Sequence, residues 1–275
     1  MQDLRYAFRK LAQRPGFTIV VVLILALGIG ANAAVFSVVN STVLAPLPYN
    51  ESDRLVVIKE TNPVKATEPD SVSPGNFLDL HTQDSIFESV TAWYDTVSTL
   101  QTDQNVEQLP SAQVSVDFFK VLRTQPALGK VFQPGEISGA AFENSRFVSG
   151  DRMVVISDAL WRRNLAADPN VIGKKITINR NEWEVIAVMP PNFAMPRRET
   201  ELWLPWDIAR TYSSARFPQG PPRDWRFLRT LGRLNPSITH TEAQSRLSSF
   251  YNGLAERHPA TNRGWSASSI PLYEE

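Results

Sequence analysis

An uncharged stretch near the N-terminus constrains this 275-residue chain more than any other feature. Residues 17–39 contain no Asp, Glu, Lys or Arg, and the first acidic residue after them is Glu51. As a helix, these 23 residues extend about 35 Å, which exceeds the bilayer's hydrocarbon thickness of about 30 Å. A soluble helix rarely stays uncharged on every side over this length. The stretch therefore predicts a transmembrane helix within residues 15–45, ended by Pro46 and Pro48.

Basic residues before this stretch predict its orientation. This part of the chain contains a single acidic residue and four basic ones, Arg5, Arg9, Lys10 and Arg14. No basic residue follows the stretch until Arg54. By the positive-inside rule, the N-terminus lies in the cytoplasm and residues after about 45 lie outside it. Because apolar residues recur at helical spacing between residues 4 and 11, residues 1–14 are predicted to form a basic amphipathic helix on the inner membrane surface.

Small residues line one face of the predicted membrane helix. Ala26, Gly30 and Ala34 follow one another at four-residue intervals, which predicts close packing against another helix. The letters of residues 28–33 match the dinucleotide-binding pattern G-x-G-x-x-A, but that pattern requires a preceding strand and a soluble βαβ unit, so we reject it. Cleavage of a signal peptide after Ala33 is an alternative, although the apolar stretch continues beyond this point.

The composition excludes several kinds of functional site. The chain has no cysteine, so a disulfide scaffold, a thiolate zinc site and a cysteine nucleophile are excluded. The three histidines lack metal-ligand spacing. The formal net charge of zero means that the chain has no overall positive charge to attract nucleic acid. No hydrolase, P-loop, metalloprotease or calcium-binding motif occurs. We therefore expect no enzymatic activity and no catalytic, cofactor-binding or metal-binding residue, and we interpret Asp79, Asp84 and Glu88 as solvated carboxylates.

Local patterns in residues 46–275 predict alternating strands and helices, that is, an α+β fold. Thr239 and Glu242 form a capping-box pattern ahead of an amphipathic helix whose apolar stripe is Ala243, Leu247, Phe250 and Leu254. Residues 179–181 predict the turn of a β-hairpin. Apolar or β-branched runs predict strands at 55–58, 88–99, 106–116, 153–156, 176–178, 183–188, 225–234 and 265–272.

The order of these elements predicts two lobes outside the membrane. One βαβ-like unit lies early and another lies late in the region, and they could pair into one layer. The outer lobe is predicted to comprise residues 50–125 and 223–275. A mixed α/β lobe is predicted to be inserted between them at 126–222, because proline-bearing segments flank this stretch.

Several short sequences resemble the MacB-like class of ABC-transporter permeases, especially an orphan-permease branch common in acidobacteria. They occur in the family's order along nearly the whole chain: Arg14–Phe17 (RPGF), Leu25–Asn32 (LALGIGAN), Phe36–Asn40 (FSVVN), Pro46–Tyr49 (PLPY), Ser115–Phe119 (SVDFF), Pro126–Gly129 (PALG), Val155–Asp158 (VISD), Val188–Phe193 (VMPPNF), Leu202–Pro205 (LWLP), Leu231–Pro236 (LGRLNP) and Asn262–Trp265 (NRGW).

This resemblance implies an inner-membrane helix followed by a periplasmic core domain, part of which is similar to the porter domains of other efflux systems. It implies a dimer that works with a separate cytoplasmic ATPase, to which ATP binds, and possible contact with a periplasmic adaptor. Such permeases transmit the ATPase's motion to the periplasm and carry three further membrane helices, whereas this sequence stops after residue 275. Alternatives are lipoprotein release, control of cell-wall hydrolases, or a single-span periplasmic binding protein.

Overall fold

The computed structural model describes residues 15–39, 49–64, 71–102, 105–133, 135, 140–143, 146–149, 152–213, 215 and 217–274. The chain divides into two units, Met1–Leu47 and Pro48–Glu275, of which we call the second the body. Helices and strands are mixed in the body, as predicted.

The first unit contains helix α1, Pro15–Val39, which lies within the range 15–45 predicted as a transmembrane helix and bears no charged side chain. Ala26 and Gly30 are exposed on it, and a Cβ added at Gly30 would meet no atom within 4 Å. The side chain of Ala34 lies outside the described residues, as do residues 1–14 with their four basic side chains. In the described part of the chain, no helix has the combined length and apolar character that crossing a membrane requires.

One mixed sheet runs through the body. Its strands are β1 (Leu55–Thr61), β2 (Phe87–Gln101), β3 (Val106–Ser115), β4 (Leu128–Gly129), β7 (Met153–Ile156), β8 (Lys175–Ile178), β9 (Asn181–Val188), β10 (Leu202–Trp206), β11 (Arg229–Leu234) and β12 (Ser266–Pro271). They follow the order β12-β1-β11-β2-β3-β10-β7-β9-β4, and β8 pairs with β2 and β9. β10 is parallel to β3 and β7 is parallel to β9, whereas the other neighbours are antiparallel. A separate hairpin joins β5 (Ala140–Glu143) to β6 (Arg146–Ser149).

Six helices accompany the strands of the body in its described residues: α2 (Pro74–Leu80), α3 (Phe118–Leu122), α4 (Asp158–Asn164), α5 (Ile208–Thr211), α6 (His240–Arg257) and α7 (Pro259–Asn262). Short 3-10 turns lie at Ser52–Arg54 and Leu272–Glu274. Ser157 caps α4 through a hydrogen bond from the Leu160 amide. Thr239 and Glu242 make the predicted capping box at α6, in which each side chain accepts from the other residue's backbone.

The predicted hairpin is confirmed, and two other predictions need correction. Asn179 and Arg180 have φ angles of 51° and 66°, the left-handed values that a tight two-residue hairpin turn requires. The predicted strand 225–234 begins only at Arg229, because Arg226 is drawn into buried polar contacts instead of a ladder. On α6, Ala243, Leu247 and Leu254 of the predicted apolar stripe are buried, but the fourth buried residue is Tyr251. The predicted Phe250 is only partly buried.

Two apolar clusters form the core of the body. The first joins α2 and α6 to β1, β2 and β11, and it includes Trp206 and Tyr212. The second surrounds α4 and strands β7 to β10, and it includes Leu100 and Leu109. Each cluster thus takes residues from both predicted lobes. The division into an outer lobe (50–125 and 223–275) and an inserted lobe (126–222) stays a prediction.

Candidate functional site

Both ends of the body lead into neighbouring strands on one side of the sheet, the edge strand β12 and the adjacent strand β1. Residues 49–54, which we call the leading segment, run into β1, and β1 pairs antiparallel with β12 so that Val56 lies opposite Pro271. The turn Ser52–Arg54 packs against the turn Leu272–Glu274. A displacement of either end would therefore act on the same pair of strands.

Five charged side chains fasten the leading segment to the rest of the body. We call them the arginine cluster: Arg54, Arg123 and Arg233, with Glu51 and Glu88. Arg54 pairs with Glu51 and with Glu88, and its Nε donates to the carbonyl of Leu234 at 3.0 Å. Arg123 Nη1 lies 2.7 Å from Glu51 Oε2, and its Nη2 lies 2.7 Å from Glu88 Oε1. The cluster thereby links the leading segment to β2, to β11 and to the end of α3.

Arg233 is the buried member of the arginine cluster. Its side chain is fully buried, its Nε donates to the Val121 carbonyl at 2.9 Å, and its Nη1 donates to the Glu51 carbonyl at 3.0 Å. Nη2 is buried and has no hydrogen-bond partner among the described residues. Burial lowers the pKa of Arg233, and the nearby charges of Arg123 and Arg54 lower it further.

The carboxylates of the cluster are held in their ionised form. The hydrogen bond from Arg54 lowers the pKa of Glu51, and the hydrogen bond from Arg123 lowers that of Glu88. Glu51 and Arg123 also adopt left-handed backbone conformations, with φ angles of 50° and 51°. Such conformations are unfavourable for residues with a Cβ and persist where surrounding contacts enforce them.

A second polar group is buried beneath α6. We call it the Glu60 network: Glu60, Asn76, Arg226, Tyr251 and Asn262. The carboxylate of Glu60 lies 2.6 Å from Arg226 Nε and accepts from Asn76 Nδ2 at 2.7 Å and from Tyr251 Oη at 2.9 Å. Burial raises the pKa of Glu60, and the charge of Arg226 opposes that shift.

The Glu60 network anchors the loop between α5 and β11. The guanidinium of Arg226 stacks over Trp265, 3.4 Å from the ring centroid. Arg223 in the same loop binds Asn76 Oδ1 at 2.8 Å and Asp79 Oδ2 at 2.9 Å. The loop leaves Trp225 about half exposed beside an open groove of about 420 Å³, lined by Phe217, Pro218, Gln219, Gly220, Pro222 and Asp224.

The carboxylates interpreted as solvated have different surroundings in the structure. Asp84 is exposed, as interpreted, whereas Asp79 pairs with Arg223 and Glu88 belongs to the arginine cluster. Sequence reasoning missed both the arginine cluster and the Glu60 network, because their members are far apart along the chain. Within the described residues, no three His, Asp or Glu side chains are close enough together to hold a metal ion.

Comparisons with known proteins place the fold. The family model described as the MacB-like periplasmic core domain matches residues 18–250. A domain of a protein named as a permease from Porphyromonas gingivalis is 14% identical, with a TM-score of 0.54, over 82% of this chain and 93% of that one. The periplasmic region of MacB from Actinobacillus actinomycetemcomitans is 14% identical, with a TM-score of 0.54, over 78% and 88%.

A third solved structure has the same fold. The extracellular domain of the ABC-type transporter YknZ from Gram-positive bacteria is 12% identical, with a TM-score of 0.52, over 78% of this chain and 98% of that one. The search of curated proteins gives no match. At these identities, the solved structures bear on the fold alone.

Proposed function

This chain belongs to the MacB-like periplasmic core domain family, and on that basis we propose that it is the N-terminal part of an ABC-transporter permease. In this proposal α1 spans the inner membrane with its N-terminus in the cytoplasm, and the body lies in the periplasm. Arg5, Arg9, Lys10 and Arg14 lie at the inner membrane surface. Ala26, Gly30 and Ala34 pack against another membrane helix.

The proposed task of the body is to receive motion from the membrane and pass it to an exported substrate. The observation that carries this proposal is the arginine cluster, because it ties the segment arriving from α1 to two strands and to α3. A force applied to residues 49–54 is therefore transmitted to the sheet through these ion pairs. ATP is bound by a separate ATPase subunit, the permease works as a homodimer or with a paired permease, and a periplasmic adaptor is a further possible partner. The chain itself performs no catalysis and holds no cofactor.

Two alternatives fit the same family or the same topology. A permease of this class can act without export, in lipoprotein release or in the control of cell-wall hydrolases. A single-span binding protein would use the groove beside Trp225 and would need no ATPase. The nucleotide sequence after codon 275 separates the permease, exporting or not, from the binding protein: three hydrophobic segments with a neighbouring ATPase gene support the permease, and their absence supports the binding protein.

The mechanical role is tested on the complex purified from its own membranes. Since the chain has no cysteine, Ser245→Cys on the exposed side of α6 supplies a single site for a spin label. We expect ATP to change the distance between the labels of two copies, and the double variant Arg54→Gln/Arg123→Gln to reduce that change. Arg163→Gln, which disrupts a separate pair with Glu201, is the matched control. An unreduced change in the double variant would show that the cluster is not the link.

A further inference from the structure

We propose that the arginine cluster is a binding site for a phosphate-type oxyanion and that the Glu51 carboxylate is its displaceable internal ligand. This inference does not depend on the proposed transport role. The inference rests on the geometry and charge of five side chains, and its test needs no ATPase.

Three guanidinium groups converge on one carboxylate oxygen. Arg54 Nη1 and Arg123 Nη1 both donate to Glu51 Oε2, and Arg233 Nη1 lies 3.8 Å from the same atom. Among the described residues, Glu51 Oε1 receives none of these contacts. A tetrahedral oxyanion offers a separate oxygen to each guanidinium, which planar arginine forks bind with charge-assisted hydrogen bonds. A phosphate group therefore matches the three arginines better than a single carboxylate does.

The charge of the cluster also favours an anion. The cluster contains three arginines and two carboxylates, so its net charge is +1 with Glu51 in place. If Glu51 withdraws, the remaining three arginines and Glu88 have a net charge of +2, which complements a dianion. The Arg233 guanidinium, whose Nη1 lies 3.8 Å from Glu51 Oε2, also carries the buried donor Nη2, which has no partner among the described residues. A buried donor without a partner is unfavourable, and a bound oxyanion would satisfy it.

Glu51 is the carboxylate that can leave. It lies in the short leading segment, its side chain is 45% exposed, and its backbone has a φ of 50°. Glu88 lies on the central strand β2 and is held by Arg54 and Arg123 together. Rotation of the exposed Glu51 side chain into solvent would withdraw its carboxylate, while its carbonyl kept the hydrogen bond from Arg233 Nη1 and Glu88 stayed in place.

The test compares phosphate binding by full chains in nanodiscs of phosphatidylcholine. Thermal unfolding is followed while sodium phosphate replaces sodium chloride at constant ionic strength. In Glu51→Gln, which removes the internal competitor, we expect half of the stabilising shift at a phosphate concentration at least 10-fold lower than in the wild type. Glu107→Gln removes a carboxylate from a different arginine, Arg163, and should behave like the wild type.

Two further variants keep the proposal falsifiable. Glu51→Gln/Arg123→Gln should lose the phosphate response, and Glu51→Ala, which also removes the carboxylate, serves in place of Glu51→Gln if the latter does not fold. In phosphate-free nanodiscs of phosphatidylglycerol, stabilisation of Glu51→Gln beyond that of Glu107→Gln identifies a lipid headgroup as the anion. A response to added phosphate alone identifies free phosphate. Equal responses in Glu51→Gln and Glu107→Gln, or a response that survives loss of Arg123, overturn the proposal.

Discussion

The ion pair between Glu60 and Arg226 gives a quantitative expectation for stability. The two side chains are 0% and 4% exposed, and their charged atoms lie 2.6 Å apart. Arg226→Met keeps much of the side-chain volume but leaves the carboxylate with only the neutral donors of Asn76 and Tyr251. Removing one partner of a buried pair costs about 3–5 kcal/mol. At about 2–4 °C per kcal/mol for a domain of this size, the unfolding midpoint should fall by about 6–20 °C.

The stability lost in Arg226→Met should depend on pH, and the direction of this dependence follows from the pKa of Glu60. Burial already raises the pKa of Glu60, and removal of Arg226, whose charge lowers that pKa, raises it further. An acid whose pKa is higher in the folded state contributes stability at low pH, and that stability is lost as the pH rises through the folded value. The difference in midpoint between Arg226→Met and the wild type should therefore be larger at pH 8 than at pH 5. Tryptophan fluorescence of the full chain in detergent measures both midpoints.

A matched variant separates the buried charge from a general effect of losing an arginine. Arg162 pairs with Asp158 on the exposed surface of α4, and Arg162→Met should leave the midpoint nearly unchanged. The reasoning is refuted if Arg226→Met shifts the midpoint no more than Arg162→Met does. It is also refuted if the shift is the same at pH 5 and pH 8.

Three smaller perturbations test other parts of the body. The hydrogen bond that His81 Nε2 donates to the Asp117 carboxylate raises the pKa of His81. His81 therefore stabilises the fold below about pH 6.5 and ceases to do so as the pH rises through its folded pKa, and His81→Gln should remove this component from a stability profile between pH 6 and 8. Gly232→Ala places a Cβ 2.6 Å from the buried ring of Phe87 and should cost about 1–3 kcal/mol in denaturant unfolding, with an unchanged midpoint counting against this packing. Thr239→Ala removes the capping box of α6 and should cost about 1 kcal/mol by the same assay, whereas Thr239→Ser should cost little.

Features with a local cause could be predicted from the sequence. The hairpin at 179–181 depends on a two-residue turn that begins at Asn179, a residue that tolerates left-handed backbone, and the cap of α6 depends on residues three apart. The helical conformation of α1, within the predicted range 15–45, follows from an unbroken uncharged stretch. In each case, the residues that determine the structure are neighbours in the chain.

Features that depend on contacts between residues far apart in the chain could not be predicted from the sequence. Arg54 finds its carbonyl partner 180 residues away, and Tyr251 binds a carboxylate 191 residues away. Arg226 lies in a run that favours a strand, but its ion pair with Glu60 and its stacking on Trp265 hold it outside the ladder. The placement of β11 between β1 and β2 likewise depends on pairing that no local pattern encodes.

The central claim is that α1 anchors a body that lies outside the cytoplasm, and cysteine labelling tests it most directly. The cysteine-free chain permits single substitutions at Gln2, before α1, and at Ser245, on the exposed side of α6. A membrane-impermeant maleimide is added to intact cells and, separately, to cells with permeabilised inner membranes. We predict that Ser245→Cys is labelled in intact cells and Gln2→Cys only after permeabilisation. Labelling of Gln2→Cys but not Ser245→Cys in intact cells, or of neither until the membrane is opened, would contradict the account.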